Sequence, residues 1–373
     1  MVRLAMMYLA SQCEALPDAS HPKPRRVVMI SKRFLGGFLF VVLAIPVKSW
    51  GNNQFVAGGV GPAGVNNSWE IRSSSGALVS TGSLSAARTG HCGVKFSTGN
   101  ILIAGGTANP TTWELRNASG ALVSTGSLAS SRSAGHTCTL LSSGNVFIAG
   151  GAASSATWEI RNTSGALVSS GSLWTARNLH TATRLNNGNV LLAGGGGSSG
   201  TWEIRNGSGG LVSTGTLWAG RVNHCEVKLS TGNVFLGGGM SASSTYEIRD
   251  QSGGLVTNGT FFLGHDSGLT CNLVGGTNVF VVGGNINPSS WEIRNSGGGF
   301  VSNGSLAAQR ACHTALTQSD TGNILIVGGG PDFVKCTAVG SPSTWELRNS
   351  AGAFISSGSL NKDRSEGHTQ TEY

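Results

Sequence analysis

Two polar pairs recur along the chain, and their side chains could in principle do acid–base or metal chemistry. The first is a Glu and an Arg two residues apart, as in Glu203 and Arg205, and it occurs seven times. The second is an Arg followed three or four residues later by a His, as in Arg177 and His180. Carboxylates and imidazoles are common general acids, general bases and zinc ligands. A catalytic site needs one unique arrangement, however, so pairs that recur in every copy of a repeat favour a structural role.

We expect the Glu–Arg pairs to be ion pairs between the repeating units, because a charge buried between sheets must be paired. The Arg–His motif occurs at Arg88 and His91, Arg132 and His136, Arg177 and His180, Arg221 and His224, Arg310 and His313, and Arg364 and His368. A metal site needs three or four ligands within roughly 2.0–2.2 Å of one ion, whereas a repeat spreads its histidines around a ring. We therefore expect turn-fixing hydrogen bonds and no bound metal.

The cysteines after residue 49 form a pattern of their own. There are six, namely Cys92, Cys138, Cys225, Cys271, Cys312 and Cys336. Counted back from the Asn that opens the next apolar run, Cys92 and Cys225 lie eight residues before it, and Cys138 and Cys271 lie seven before it, each in the following unit. These shared offsets predict the disulfides Cys92–Cys138 and Cys225–Cys271, which leave Cys312 and Cys336 as a third candidate pair. The alternative is six small buried thiols.

All these residues belong to one repeat. Its aromatic-Glu-aliphatic-Arg unit begins, with spacings of 44, 45, 44, 44, 45 and 54, at Trp69, Trp113, Trp158, Trp202, Tyr246, Trp291 and Trp345. Each period holds four candidate strands: one after the Arg–His motif, an apolar run ending in Gly-Gly, WEIRN, and one like GLVSTGSL. A fixed period of this length predicts a β-propeller of seven blades. The C-terminal RSEGHTQTEY is a first strand, so its pairing with the N-terminal three strands would close the ring.

This pattern resembles the kelch repeat, particularly the bacterial type, over residues 52–373. Arg205 and Asn206 stand where kelch third strands usually carry Tyr and Asp, and the aromatic usual in the fourth strand lies in the third strand, as Trp202. The resemblance implies a β-propeller that serves as a binding platform and implies no activity by itself. The resemblance also raises the copper-radical oxidases as a candidate class of enzyme, and these need tyrosine and histidine copper ligands. Because only Tyr246 and Tyr373 follow residue 49, we expect no cofactor.

Composition and charge narrow the class of protein further. The chain has 373 residues and a net charge of +8, with 58 Gly and only 11% charged residues, which is typical of short strands joined by tight turns. Residues 1–49 carry seven Lys or Arg against two acidic residues, which leaves 18 basic and 15 acidic residues in the remainder. That small and evenly spread excess does not indicate a nucleic-acid partner.

Residues 1–49 have the layout of a secretory signal. Two basic residues precede the apolar run Phe34–Val47, and small residues follow it. We expect cleavage after Ser49 and a true start at Met29, with residues 50–373 as the propeller. The run is short for a membrane span, so we expect no transmembrane segment after cleavage, with an uncleaved anchor as the alternative. The protein would then be secreted, periplasmic or attached to the cell surface.

Departures from the repeat are where a specific function would lie. Trp174, Trp218 and Phe262 share one position after the fourth strand, where the other copies have Ser85, Ala129, Ala307 and Asn361. The insertion Gly330–Thr344 lengthens one loop between strands two and three. Loops of both kinds emerge on one face because the strands alternate in direction. The predicted ligand-binding residues of this face are Trp174, Trp218, Phe262, Arg177, Arg221 and His265.

Aromatic rings beside arginines suit stacking on a sugar or clamping a peptide, unless the rings pack between blades. We therefore expect a monomeric, non-enzymatic seven-bladed propeller that binds an extracellular protein or glycan. The alternatives are an enzyme acting on glycans or other extracellular substrates at a propeller face, and a structural protein with no specific ligand. An enzyme would need a unique titratable cluster, and we interpret the two candidates as ordinary loop residues. These candidates are His265 with Asp266 and Asp332 with Lys335.

Overall fold

The computed structural model describes residues 30–34, 37–41, 53–61, 63–152, 156–330, 343–364 and 367–372. The chain divides into two units, residues 1–49 and 50–373. In the first unit, β1 (Ile30–Phe34) and β2 (Gly37–Val41) form an antiparallel hairpin. Most of the predicted signal segment, together with Met29 and the cleavage point after Ser49, lies outside the described residues. The described residues include no apolar helix of membrane-spanning length.

The second unit is all β and consists of seven four-stranded antiparallel sheets, the blades. Blade 1 contains β32 (Thr369–Glu372), β3 (Gln54–Ala57), β6 (Ser68–Arg72) and β7 (Leu78–Ser83). Its second and third strands are joined through a small hairpin of β4 (Val60–Gly61) and β5 (Gly64–Val65). The C-terminal β32 pairs with β3 from Ala57 opposite Thr369 to Gln54 opposite Glu372. This pairing confirms the predicted closure of the ring.

Blades 2 to 7 each use four consecutive strands. Blade 2 has β8 (Cys92–Lys95), β9 (Ile101–Ala104), β10 (Thr112–Arg116) and β11 (Leu122–Ser127), and blade 3 has β12 (His136–Leu140), β13 (Val146–Gly150), β14 (Thr157–Arg161) and β15 (Leu167–Ser172). Blade 4 has β16 (Thr181–Arg184), β17 (Val190–Ala193), β18 (Thr201–Arg205) and β19 (Leu211–Thr216), and blade 5 has β20 (Cys225–Lys228), β21 (Val234–Gly237), β22 (Thr245–Arg249) and β23 (Leu255–Thr260). Blade 6 has β24 (Leu269–Val274), β25 (Asn278–Gly283), β26 (Ser290–Arg294) and β27 (Phe300–Ser305), and blade 7 has β28 (Thr314–Thr317), β29 (Ile324–Val327), β30 (Thr344–Arg348) and β31 (Phe354–Ser359).

The first strand of every blade lies at the centre of the propeller. Each one contacts the first strands of both neighbouring blades, and the contacts run in an unbroken circle from β8 through β32 and back to β8. The fourth strands lie at the outer rim, where their leading residues, such as Leu211 and Val212, are half exposed. The strand order of a blade therefore runs from the central channel to the rim.

The hydrophobic core lies between adjacent blades rather than within one sheet. Trp202 and Ile204 of blade 4 pack with Val234 and Leu236 of blade 5, and all four side chains are buried. Second and third strands therefore bury both of their faces, which explains the continuous apolar runs of the second strands. Full burial of an aliphatic side chain of this size stabilises the fold by about 1.5–3 kcal/mol.

Two glycines fix the place of each third-strand tryptophan. The indole ring of Trp202 lies against Gly215 of its own fourth strand and against Gly253 in the turn of the next blade. A Cβ atom at either glycine would overlap the ring. Gly253 has a φ of 86°, and its counterpart Gly209 in blade 4 has a φ of 88°. Both values lie in the left-handed region that favours glycine. The glycines of the repeated NxSGxLVSTG segment are therefore needed to admit the tryptophan.

Two disulfides join neighbouring first strands, as the cysteine offsets predicted. Cys92–Cys138 connects blades 2 and 3, and Cys225–Cys271 connects blades 5 and 6, with Cα–Cα distances of 5.8 and 5.4 Å. Both distances lie within the range that a disulfide requires. Cys312 is also disulfide-bonded, whereas Cys336 lies outside the described residues.

Candidate functional site

Each third-strand glutamate holds together its own blade and the loop that enters it. Glu203 accepts hydrogen bonds from Arg205 at 2.7 Å, from Nε of Arg177 at 3.1 Å and from the backbone N–H of Trp174 at 3.0 Å. Glutamates of the other blades have equivalent ion pairs. Our expectation of ion pairs between blades was wrong, because Arg205 belongs to the same strand as Glu203 and Arg177 belongs to the loop that enters the same blade. The pairs are structural, and all of these glutamates are buried.

The arginines of the Arg–His motif are also structural. Arg177 is fully buried and donates to the backbone carbonyls of Gly194 at 2.8 Å and Thr201 at 2.9 Å, and to Thr201 Oγ1 at 2.9 Å. It thereby joins the loop between strands four and one to the loop between strands two and three, so both kinds of loop lie on one face of the blade. We call this the 4–1 face.

Three of the predicted ligand-binding residues therefore cannot contact a ligand at the surface. Arg177 and Arg221 are 0% exposed and are paired with Glu203 and Glu247. His265, which replaces the arginine in blade 6, is also 0% exposed, and its Nδ1–H donates to the carbonyl of Gly283 at 2.7 Å. The spacing of these residues identified their loop correctly but could not show that they point inward.

The histidines connect neighbouring blades instead of fixing turns within a blade. His180 Nε2 lies 3.1 Å from Thr137 Oγ1 of the preceding blade, and His136 Nε2–H donates to the Ala104 carbonyl at 3.0 Å. The same kind of bond is made by His91, His224, His313 and His368. Burial, together with the charge of the nearby arginine, lowers the pKa of His180 to about 3, so the ring is neutral at physiological pH.

The histidines do not assemble a metal centre in the part of the chain that the structure describes. The one group there of three potential ligands within reach of an ion is Cys92, His136 and Cys138. Its two cysteines form a disulfide with each other, and His136 is bonded to the Ala104 carbonyl. This group therefore has no thiolate to offer a metal.

The three aromatic residues that depart from the repeat are exposed, so they do not pack between blades. The exposed fractions are 49% for Trp174, 50% for Trp218 and 67% for Phe262. They lie on the loops entering blades 4, 5 and 6, at one position in three consecutive blades, and we call them the aromatic arc. Their backbone N–H groups donate to buried glutamates at 2.9–3.0 Å, which holds the loop while leaving the ring free in solvent.

Exposed apolar side chains of the outer strands extend this surface. The Phe262 ring lies 5.8 Å from that of Phe300, which is half exposed at the start of the fourth strand of blade 6. Leu255 and Leu211 occupy the position of Phe300 in blades 5 and 4 and are also half exposed. In blade 6 the exposed surface of the arc therefore continues onto the outer strand.

The loops around the aromatic arc present almost no charge. Within residues 173–180, 194–200, 217–224, 238–244, 261–268 and 284–289, the arginines and histidines are buried, and Asp266 is the one ionisable side chain with partial exposure. Serine, threonine, glycine and asparagine make up most of the rest. The loop entering blade 1 differs, because Lys362 is exposed and Asp363 is partly exposed there. The arc is therefore an uncharged apolar sector of the 4–1 face.

The other sequence candidates give no site in the described chain. The insertion Gly330–Thr344 joins the second and third strands of blade 7, and residues 331–342, with Asp332 and Lys335, lie outside the described residues. His265 and Asp266 do not form a catalytic pair, because His265 is directed into the blade, with Nε2 lying 3.8 Å from Glu292. The described residues of the insertion, Gly330, Ser343 and Thr344, belong to the blade framework.

One unusual residue was missed by the sequence analysis. Glu226 lies on the first strand of blade 5 and accepts a hydrogen bond from Thr181 of blade 4, and its other carboxyl oxygen is buried without a hydrogen-bond partner. Burial raises the pKa of Glu226 to about 7, although hydrogen bonds from Thr181 and Thr183 act in the opposite direction. The signal was available, since aligned positions in other blades carry uncharged residues such as Ala182 and Cys138.

Comparison with known proteins supports the fold and little more. No family model matches the sequence, and no curated protein sequence matches it. The structure is similar to a fungal alcohol oxidase of the AA5 family in complex with copper, with a TM-score of 0.60, 17% identity, and coverage of 74% of this chain and 66% of the oxidase. This chain thus spans less than two thirds of the oxidase.

Two further solved structures are similar at low identity. One is BBS1N in complex with ARL6DN, with a TM-score of 0.50, 12% identity, and coverage of 80% of this chain and 86% of that one. The other is a protein of unknown function from Bacteroides caccae, with a TM-score of 0.46, 14% identity, and coverage of 68% and 94%. The likeness to the oxidase and to BBS1N shows a common fold and carries no activity to this chain.

The described residues do not fit the copper ligand set that the oxidase resemblance implies. Tyr246 is buried, its hydroxyl donates to the Gly298 carbonyl at 2.9 Å, and its ring stacks on Phe235 at 5.3 Å. It occupies the place of the third-strand tryptophan and belongs to the core. Tyr373 lies outside the described residues, six of the described histidines are bonded between blades, and His265 is bonded within its own blade. We therefore derive no chemical step through copper.

Proposed function

We propose that the protein is a secreted or cell-surface, non-enzymatic propeller of the kelch type that binds an extracellular protein or glycan. The observation that supports this proposal is the aromatic arc. Three large aromatic side chains replace small ones at a single repeat position in consecutive blades, and all three are about half exposed or more. A scaffold role gives no reason for exposed aromatics in three blades alone, because the other four blades have the same architecture with Ser, Ala or Asn.

The physical properties of the arc suit recognition of an uncharged ligand. An aromatic side chain can bury about 150–250 Å² and is enriched among residues that dominate binding energy. Trp174 and Trp218 are supported at the backbone by Glu203 and Glu247, so little conformational entropy remains to be lost in their loops. Since Arg177 and Arg221 are buried, the ligand would meet apolar rings and hydroxyl groups rather than cations. Neutral sugar rings and apolar peptide side chains both meet these requirements.

An oxidising compartment agrees with this proposal. Disulfides persist in secreted and periplasmic proteins and are rare in the cytosol. Two join neighbouring blades here, and the predicted signal segment would direct export. We propose a monomer without a cofactor. The kelch assignment rests on the repeat pattern, namely the Arg–His motif, the apolar strand that ends in Gly-Gly and the glutamate of the third strand.

A double variant of the arc tests the proposed function. Residues 50–373 of the wild-type protein, Trp174→Ala/Trp218→Ala and Leu122→Ala should be applied to arrays of neutral glycans and of peptides. Leu122 is half exposed on the outer strand of blade 2, away from the arc, and so serves as a matched control. We expect the wild type and the control to bind the same ligand and the double variant to bind at least about tenfold more weakly. Unchanged binding by the double variant would contradict the proposal.

A further inference from the structure

A second site of different chemistry lies on the opposite face of the ring, where the first strands end. Arg184 is the last residue of β16 and Lys228 is the last residue of β20, and they pair with Val190 and Val234 in the same register. These two strands are neighbours in the central circle. The two basic residues therefore lie at the same end of neighbouring first strands, on the face that carries the turns between strands one and two.

No ion pair from the described part of the chain neutralises Arg184 or Lys228. Both side chains are partly buried, and neither has a hydrogen bond or an ion pair to another described residue. Burial and the positive charge of Arg184 lower the pKa of Lys228, as expected for two like charges at short range. Like charges that are partly withdrawn from water repel each other more strongly than charges in bulk solvent.

The nearest carboxyl group on the same strand does not compensate for these charges. Glu226 lies two residues before Lys228, and its carboxyl accepts hydrogen bonds from threonines of β16 instead of pairing with a cation. The corresponding cation of blade 2 is different, because burial raises the pKa of Glu372 of blade 1 and the positive charge of Lys95 acts against that rise, which places the two groups within range of each other. The positive charge at Arg184 and Lys228 is therefore local and uncompensated.

We propose that Arg184 and Lys228 form a binding site for a doubly charged oxyanion of the phosphate type. A guanidinium group offers two parallel N–H donors to such an anion, and an ammonium group adds a mobile point charge. An anion between them would replace the repulsion by two attractive contacts. The anion is either free phosphate or the phosphate group of an ester. This site is on the face opposite the aromatic arc and is independent of it.

Calorimetric titration with inorganic phosphate and with glucose 6-phosphate, at constant ionic strength, tests the site. The proteins are the wild type, Arg184→Gln/Lys228→Gln, and Lys362→Gln, which removes an exposed lysine on the other face. We expect saturable binding by the wild type and the control, and affinity weaker by about tenfold or more in the double variant. Similar affinity for both ligands indicates free phosphate, and tighter binding of the ester indicates an ester. The proposal is overturned if the wild type shows no saturable binding or if the double variant binds equally well.

The repulsion between the two cations provides a test that needs no ligand. Without a bound anion, Lys228→Gln should raise the unfolding temperature in low salt, and the gain should shrink in high salt because salt screens the repulsion. The charge-conserving variant Arg184→Lys should show no such gain. If neither the charge removal nor the salt changes the unfolding temperature, the two cations are too far apart to share one anion, and the proposal fails.

Discussion

The charged residues of the blades owe their positions to the contacts that they satisfy in the interior. Glu203 is buried with Arg177 and Arg205, and the three side chains also bond to backbone groups of two loops and one turn. Removing Glu203 would leave two arginines buried without a counter-charge, which costs more than the ion pairs themselves stabilise the fold. Such residues can be neither exchanged singly nor recruited to bind a ligand.

Glu226 is the residue whose titration should affect stability. Its pKa is raised from 4.5 to about 7 in the folded protein, so folding favours the protonated form. The stability contributed by this group is present below about pH 4.5 and is lost as the pH rises through 7. Glu226→Gln should therefore raise the free energy of unfolding at pH 8 by about 3 kcal/mol and at pH 5 by less than about 1 kcal/mol.

Urea unfolding of the wild type and Glu226→Gln at both pH values measures this effect. Other titrating groups are common to the two proteins and cancel in the difference. A wild type more stable than Glu226→Gln at pH 8 would mean that the ionised carboxylate is stabilised in the seam between blades 4 and 5, contrary to our account.

The first strands connect the blades around the central channel, because each first strand contacts the first strands of both neighbouring blades. Hydrogen bonds from the histidines and two disulfides reinforce these contacts. The fourth strands lie at the outer rim, and the three aromatic residues that depart from the repeat come just beyond the ends of three of them. Stability is concentrated at the centre and variation at the rim.

Removal of one disulfide should weaken the ring without opening it. Cys225 and Cys271 are 46 residues apart in sequence, and the loss of a constraint on a loop of that length costs up to about 4 kcal/mol. We expect Cys225→Ser/Cys271→Ser to lower the free energy of unfolding by about 2–4 kcal/mol with an unchanged far-ultraviolet circular dichroism spectrum.

Thiol labelling serves as the control for this prediction. The denatured wild type should show no labelling at these two positions until it is reduced. Labelling without reductant, or a double variant as stable as the wild type, would show that the disulfide does not join blades 5 and 6 in solution.

At the scale of the whole molecule, the architecture could be predicted from the sequence and the chemistry of the surface could not. The repeat period specifies seven blades of four strands, and the N-terminal and C-terminal segments together supply the four strands of one blade, which closes the ring. The disulfides followed from offsets of the same kind. The spacing of residues does not show which side chains are buried, however. Trp174 and Arg177 lie three residues apart and were both predicted to bind a ligand, but only Trp174 is exposed.

The closed ring also separates two surfaces. The 4–1 face carries the aromatic arc and is nearly uncharged around it, and the opposite face carries the uncompensated cations at the ends of two neighbouring first strands. One chain could therefore hold two ligands of unlike chemistry without competition between them. Both surfaces involve blades 4 and 5, the blades that also depart from the repeat at Glu226.

If repeated residues maintain the fold and unrepeated residues bind the ligand, two tryptophans in one copy of the repeat should respond differently to substitution, and their comparison is the most direct test. Trp202→Ala and Trp218→Ala should be compared for the free energy of unfolding and for affinity toward the ligand found on the arrays. We predict that Trp202→Ala costs about 3–5 kcal/mol of stability, and that Trp218→Ala changes stability by less than about 0.5 kcal/mol but weakens binding severalfold. A Trp218→Ala protein that is destabilised and still binds as tightly as the wild type would contradict the account.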